Sequence, residues 1–235
     1  MSVYSDAVLG NTGGVAPIIY LKQDDATGGP WIDSSGNSNS ATLTAGTITQ
    51  STPICQYDKK SSAFSAGSYM TVPHLVSMDS ASFAFHFSIV PSASDIANQR
   101  DFYSTYNSGS GILRSLLRID SGPLKFYLQA TNSTYNILVG PTLVAGAKYE
   151  IIAAFDSSTN TQYMWVSQSG GTITQYSQVT SGIISSVNTD QIIGNWPTVN
   201  NGYLGKLANF ALWTSLPTST QRNNIFNNAQ FSLSL

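Results

Sequence analysis

Between Ser82 and Val90 every second residue is large and apolar. Phe83, Phe85, Phe87 and Ile89 alternate with Ala84, His86 and Ser88. A period of two places the four large side chains on one face of a half-buried β-strand. Leu124, Phe126 and Leu128 repeat the pattern, and Tyr149, Ile151, Ala153 and Phe155 repeat it again. Gln162–Val166 and Thr172–Tyr176 flank Ser169, Gly170 and Gly171, which predicts a hairpin. Asp156–Asn160 is a turn cluster between two such runs. From Gly205 to Trp213 the alternation fails. Leu207, Phe210 and Leu212 share a face only if an extra residue sits near Ala208 and Asn209, which predicts a β-bulge. One short helix is predicted over Pro217–Phe226, with a Ser/Thr cap and Ile225 and Phe226 to bury. Phe231–Leu235 alternates once more, as an edge strand would.

Many short strands punctuated by Gly, Ser and Asn turns predict an all-β sandwich or barrel. Residues 17–235 are expected to form one domain, since sandwiches often reach about 250 residues as one unit. Residues 1–16 are expected to form a flexible N-terminal arm, because ordering Gly10, Gly13 and Gly14 costs backbone entropy. Such an arm either frays or orders against a neighbouring subunit.

Composition narrows the chemistry. Charged residues make up 9% of the 235-residue chain, and Glu150 is its one glutamate. An average soluble domain carries about 25%. Hydrophobic residues at 41% suffice for a sizeable core. The net charge is −2 and Lys59-Lys60 is the one adjacent basic pair, so no nucleic-acid partner is expected. No apolar run reaches the ~18 residues of a membrane span, so no membrane insertion is expected. Met1–Asp6 has neither a basic nor an apolar signal region, which points to synthesis in a cytoplasm. Cys55 is single, so it is either a small buried hydrophobe or a reactive thiol. His74 and His86 lack a neighbouring nucleophile motif and read as polar surface groups or packed rings.

Several stretches, in order, resemble a known family. They are Tyr20–Asp25, Trp31–Asn39 with Ala41–Leu43, and Ser62–Pro73, which is followed by the Phe83–Val90 strand. Late in the chain come Gln191–Gly194, Tyr203–Trp213 and Leu216–Phe226. Together these resemble the laminin-G-like group of concanavalin A-like lectin/glucanase jelly rolls, over residues 17–230. The resemblance implies two antiparallel sheets packed face to face, one gently concave, that bind glycans or proteins. Such domains occur in lectins, sialidase-associated modules and bacteriophage virion proteins. The chain departs from relatives at Ala208-Asn209, where Asp-Glu is common, and at Lys148-Tyr149-Glu150, where Trp-Tyr-His is common.

Glycosidases of this fold carry Glu-x-Asp-x-x-Glu, and hydrolysis needs two carboxyl groups about 5–9 Å apart. One glutamate cannot supply that motif, and Asp24-Asp25 is the one adjacent aspartate pair, so no enzyme activity is expected. Asp24, Asp25, Asp33 and Asn37, with Asn39, offer oxygen ligands in two turns, a possible calcium site of the kind some family members hold. The alternative is Asx turns capping their own backbone around Gly36. For glycan stacking, Tyr103, Tyr106, Tyr127, Tyr135, Tyr163, Trp165 and Trp196 are available, with Trp196, Asn195, Tyr103 and Tyr106 the leading candidates. The alternative is that these rings pack at sandwich edges with wet polar tips. The expected function is a non-catalytic bacteriophage virion surface protein, a capsid decoration or tail- or fibre-associated chain. It would be a homo-oligomer that packs against other virion subunits and presents a lectin-like face to host glycans. A free-standing carbohydrate-binding lectin module of a cell-surface system is the alternative.

Overall fold

The phenylalanine row at Phe83, Phe85 and Phe87 lies at the centre of two packed antiparallel sheets. The computed structural model describes Val8 and residues 14–22, 31–54, 60–75, 82–196 and 201–228. Sixteen strands are described: β1 Ile19–Lys22, β2 Ile32–Asp33, β3 Thr42–Ala45, β4 Ile48–Ser51, β5 Ser61–Phe64, β6 Tyr69–Val72, β7 Phe83–Val90, β8 Gln99–Asn107, β9 Ile112–Asp120, β10 Pro123–Gln129, β11 Tyr135–Thr142, β12 Tyr149–Asp156, β13 Thr161–Gln168, β14 Thr174–Val179, β15 Gln191–Ile193 and β16 Lys206–Trp213. Two helices accompany them, α1 Ala93–Ala97 and α2 Ser219–Asn228.

The nine-stranded sheet runs β14-β13-β12-β7-β16-β1-β2, with β5 beside β16 and β4 beside β5. The seven-stranded sheet runs β11-β10-β9-β8-β15-β6-β3. All strand pairs are antiparallel. Register explains the core. Phe83, Phe85, Phe87 and Ile89 lie opposite Phe155, Ala153, Ile151 and Tyr149. They meet Tyr103, Leu117, Leu124 and Phe126 from the other sheet. Phe85 and Tyr103 have ring centroids 4.4 Å apart, and Phe87 meets Phe102 edge-on at 5.5 Å. Offset and edge-on pairs of this kind contribute roughly 0.5–1.5 kcal/mol each beyond burial.

The bulge in β16 falls where the broken alternation places it. The register with β7 shifts between Ala208 and Ala211, and Asn209 has φ +53°. The strand β7, by contrast, is not half-buried. Ala84, His86 and Ser88 are buried as well, and a second cluster lies on this outer face of the nine-stranded sheet beneath α2. Ile225 and Phe226 pack there with Tyr20, Ala84, Ile152, Ala154, Trp165, Ala211 and Trp213. On this covered face His86 Nε2 lies 2.5 Å from Glu150 Oε2, which also accepts a bond from Ser88 Oγ at 2.9 Å. The single glutamate is therefore a structural anchor.

Of the N-terminal arm, Val8 and residues 14–16 are described. Val8 joins the cluster under α2. Gln221 clamps Val15, accepting from its N–H and donating to its carbonyl, both at 2.9 Å. The predicted tail strand Phe231–Leu235 and Cys55 lie outside the described residues.

One side of the sandwich is laced shut. Gln162 Nε2 on β13 donates to the Phe126 carbonyl on β10 at 3.1 Å. Asn136 on β11 and the backbone of Ser181 exchange two bonds, at 2.7 and 3.1 Å. A Cβ at Gly140 would sit 2.3 Å from Met164 Cε, so glycine lets β11 approach β13. These ties fix β10 and β11, whose outward side chains form part of the site described next.

Candidate functional site

The candidate site lies on the outer face of the seven-stranded sheet. An open groove of about 220 Å3 crosses it, lined by Leu113, Leu116 and Arg118 of β9, Tyr127 of β10, Tyr135 and Ile137 of β11, and Trp196 just past β15. Leu113 and Leu116 are buried and make the floor. Tyr135 and Ile137 stand 47% and 38% exposed, continued along the strand by Val139 at 50%. Trp196 leans on Tyr106 at 5.2 Å.

Two bulges build this face. Phe102 is an extra residue in β8, so Asp101 falls opposite Arg118 while Tyr103 falls opposite Leu117. Phe102 and Tyr103 both turn inward, and Asp101 turns outward. In β9 the extra residue is Arg114, which sits over the Phe83 ring in the interior and frees Leu113 to face the groove.

Arg118 is the one cation among the described lining residues. Its Nε donates to Asp101 Oδ1 at 2.5 Å and its Nη2 to Asp101 Oδ2 at 3.1 Å. The guanidinium carbon lies 5.5 Å from the Tyr127 centroid and 5.3 Å from that of Trp196. Burial acts to lower the Arg118 pKa, but the hydrogen bond and charge of Asp101 outweigh it and hold the guanidinium above its usual range. Burial is also the largest influence on Asp101 and pushes its carboxyl up, with Arg118 opposing. The two parallel N–H···O contacts have the geometry of a bidentate guanidinium–carboxylate fork.

The structure brings Trp196 and Tyr106 together and separates the other two leading candidates from the groove. Tyr103 is fully buried in the core; its hydroxyl donates to Gln191 Oε1 at 3.0 Å, and burial pushes the phenol well above its usual range. It cannot touch a ligand on the sheet surface. Tyr103→Phe is expected to leave ligand binding unchanged while costing about 1–3 kcal/mol in urea unfolding, because Gln191 loses its partner. Asn195 is buried and spends its side chain on its own turn, Oδ1 accepting from Trp196 N–H at 2.8 Å. Its carbonyl accepts from Ser104 Oγ at 3.2 Å. It aims Trp196 without facing the groove. Gly194 before it has φ +101°, and a Cβ there would lie 2.4 Å from Phe64 Cε1, so the turn demands glycine. Tyr163 and Trp165 stack at 5.3 Å on the opposite sheet, under Arg222 of α2.

In the described part of the acidic turns the side chains are engaged in turn hydrogen bonds. Asp33 Oδ1 accepts from the N–H groups of Tyr20 and Ser35, both at 2.9 Å, and Oδ2 from Asn39 N–H at 2.8 Å. Asn37 and Asn39 each donate Nδ2 to the Ile18 carbonyl at 3.1 Å. The carboxylate is thus committed to closing its own loop, the turn chemistry of the alternative reading, and the amides present N–H rather than oxygen. No group of three or more His, Cys, Asp or Glu able to hold a metal occurs among the described residues. Asp24 and Asp25 lie outside them.

Sequence reasoning missed Arg118, Leu113, Leu116 and Ile137 as site residues. The available signal was β11 itself, where Tyr135, Ile137 and Val139 make one row and Asn136, Leu138 and Gly140 the other. The structure turns the bulkier apolar row to solvent, and exposed apolar rows mark interaction surfaces.

No protein-family model matches the sequence, and no curated protein matches it. Solved structures do. One is the botulinum neurotoxin serotype D ligand-binding domain in complex with N-acetylneuraminic acid, at 12% identity and TM-score 0.70, covering 96% of this chain and 52% of that one. The receptor-binding domain of the C/D mosaic serotype matches at 16% and 0.68, covering 91% and 51%. The type G receptor-binding domain matches at 14% and 0.64, covering 89% and 50%. These likenesses show the fold. The chain spans about half the length of the structures it matches.

Proposed function

We propose that the chain is a non-catalytic carbohydrate-binding sandwich whose ligand lies in the groove on the outer face of the seven-stranded sheet. The observation that carries this reading is the groove itself, with apolar Leu113 and Leu116 at its base and Trp196, Tyr127 and Tyr135 around it. Sugars present C–H faces that stack on such rings, and concave, mostly apolar sites with few polar groups are the usual form of a small-ligand site. The names of the structural neighbours, which are ligand- and receptor-binding domains, support the same reading. The lining holds aromatic and aliphatic side chains and one paired guanidinium, whereas glycoside hydrolysis works through two carboxyl groups.

The setting inferred from the sequence, the surface of a bacteriophage particle, belongs to this proposal. Its support is the low charge of the chain, which leaves neutral surface suited to packing against other subunits. Frontal chromatography on immobilised glycans tests the first part. Retention that free oligosaccharide competes away is expected, and passage at the void volume on every glycan contradicts it. Co-sedimentation with particles from the native source tests the second, and recovery only as free chain contradicts it.

A further inference from the structure

Resting on that reading, we propose that the groove selects neutral oligosaccharides and discriminates against carboxylated ones. The positive charge that an acidic sugar would seek is already neutralised. Arg118 grips fully buried Asp101 through two parallel bonds, and the pair carries no net charge. The fork uses Nε–H and one N–H of Nη2, so the remaining guanidinium N–H groups can serve a sugar hydroxyl, while a second carboxylate would meet no net positive charge. Lys125, directly opposite Arg118 on β10, is a second cation of this face, and its Nζ is held at 2.5 Å by Asp120 Oδ2. A carboxylated ligand would lose water and meet two completed ion pairs, an uncompensated cost. A neutral ring loses less and gains the faces of Trp196 and Tyr127.

The guanidinium has a second use here. Placed between the Tyr127 and Trp196 rings, it extends the flat surface and holds both in position. The lining strands β9, β10 and β11 cover two intervals, about 10 Å at 4.7–4.9 Å per interval, and the Trp196 ring extends the surface beyond Arg118. That span exceeds one sugar ring and fits a linear oligosaccharide laid across the strands.

The test is calorimetric titration of the full chain with cello-, malto- and N-acetyllactosamine tetrasaccharides, their monosaccharides, the sialylated N-acetyllactosamine chain and tetragalacturonate. At least one neutral tetrasaccharide is expected to bind tenfold or more tightly than its monosaccharide and than either acidic ligand. Its affinity is expected to be unchanged between 50 and 500 mM salt, since screening acts on net charge. Asp101→Asn keeps the shape and frees the guanidinium, so acidic ligands should gain fivefold or more. The wild-type comparison and its salt series decide the question even if that variant does not fold. An acidic glycan binding as tightly as the best neutral one overturns this inference and leaves the glycan reading intact. Heat from none of these ligands overturns both.

Discussion

Replacing Asp95 by alanine is expected to cost about 3–5 kcal/mol of folding stability, the range for breaking a buried charged pair. Asp95 is fully buried at the third position of α1. Its Oδ2 accepts from the N–H and the hydroxyl of Ser92, each at 2.7 Å, and its Oδ1 accepts from Leu204 N–H at 2.9 Å. Arg100 Nε stands 3.8 Å away. Alanine would strand three donors and a partly buried cation, and would cut a tie between residues 109 apart in the chain. Domains of this size are stable by about 5–15 kcal/mol, so the loss is a large fraction of the whole. Urea unfolding measures it. Asp95→Asn, which keeps one acceptor, should fall between the variant and the parent. A loss below about 1 kcal/mol for alanine would show that water or relaxation satisfies these donors.

The second large effect is on binding. Trp196→Ala is expected to weaken the best glycan by at least tenfold, equivalent to about 1.4 kcal/mol. Trp196 supplies a ring face to the groove, supports Tyr106 at 5.2 Å and packs on Arg118 at 5.3 Å. Central aromatic anchors of this kind dominate binding energy when truncated. Far-UV circular dichroism should be unchanged, since Trp196 belongs to neither buried core cluster. Val179→Ala, at a 71% exposed position of β14 on the opposite sheet, serves as the control. Equal losses from both variants would remove Trp196 from the site.

Much of the fold was legible because single-face alternation survives in β7, β10 and β12. The bulge at Ala208 and Asn209 was legible for the same reason, since a one-residue insertion visibly breaks period two. Four features were not legible. The five-residue α1 is too short to show a helical period. The burial of His86, Ser88 and Glu150 arises from tertiary packing, which no local pattern encodes. In β11 the larger apolar row faces outward, so hydrophobicity read alone assigns its faces backwards. The bulge in β9 turns Arg114 inward and Leu113 outward, which disguises that strand.

The site was half legible for related reasons. Aromatic residues were the correct class, but parity decides among them. Tyr103 and Tyr106 are three residues apart in one strand and therefore face opposite ways. Asn195 beside Trp196 reads as a ligand by composition and acts as a turn anchor by geometry. Arg118 draws attention only once Asp101 is seen beside it, and that contact depends on the extra residue Phe102.

Mapping amide and side-chain NMR shifts while titrating a neutral tetrasaccharide tests the central claim most directly. The expected outcome is a contiguous set of changes at Leu116, Arg118, Tyr127, Ile137 and Trp196, with Tyr163, Trp165 and Arg222 unmoved. Changes confined to the α2-covered sheet, to the Asp33 loop, or to no residue at all would contradict it.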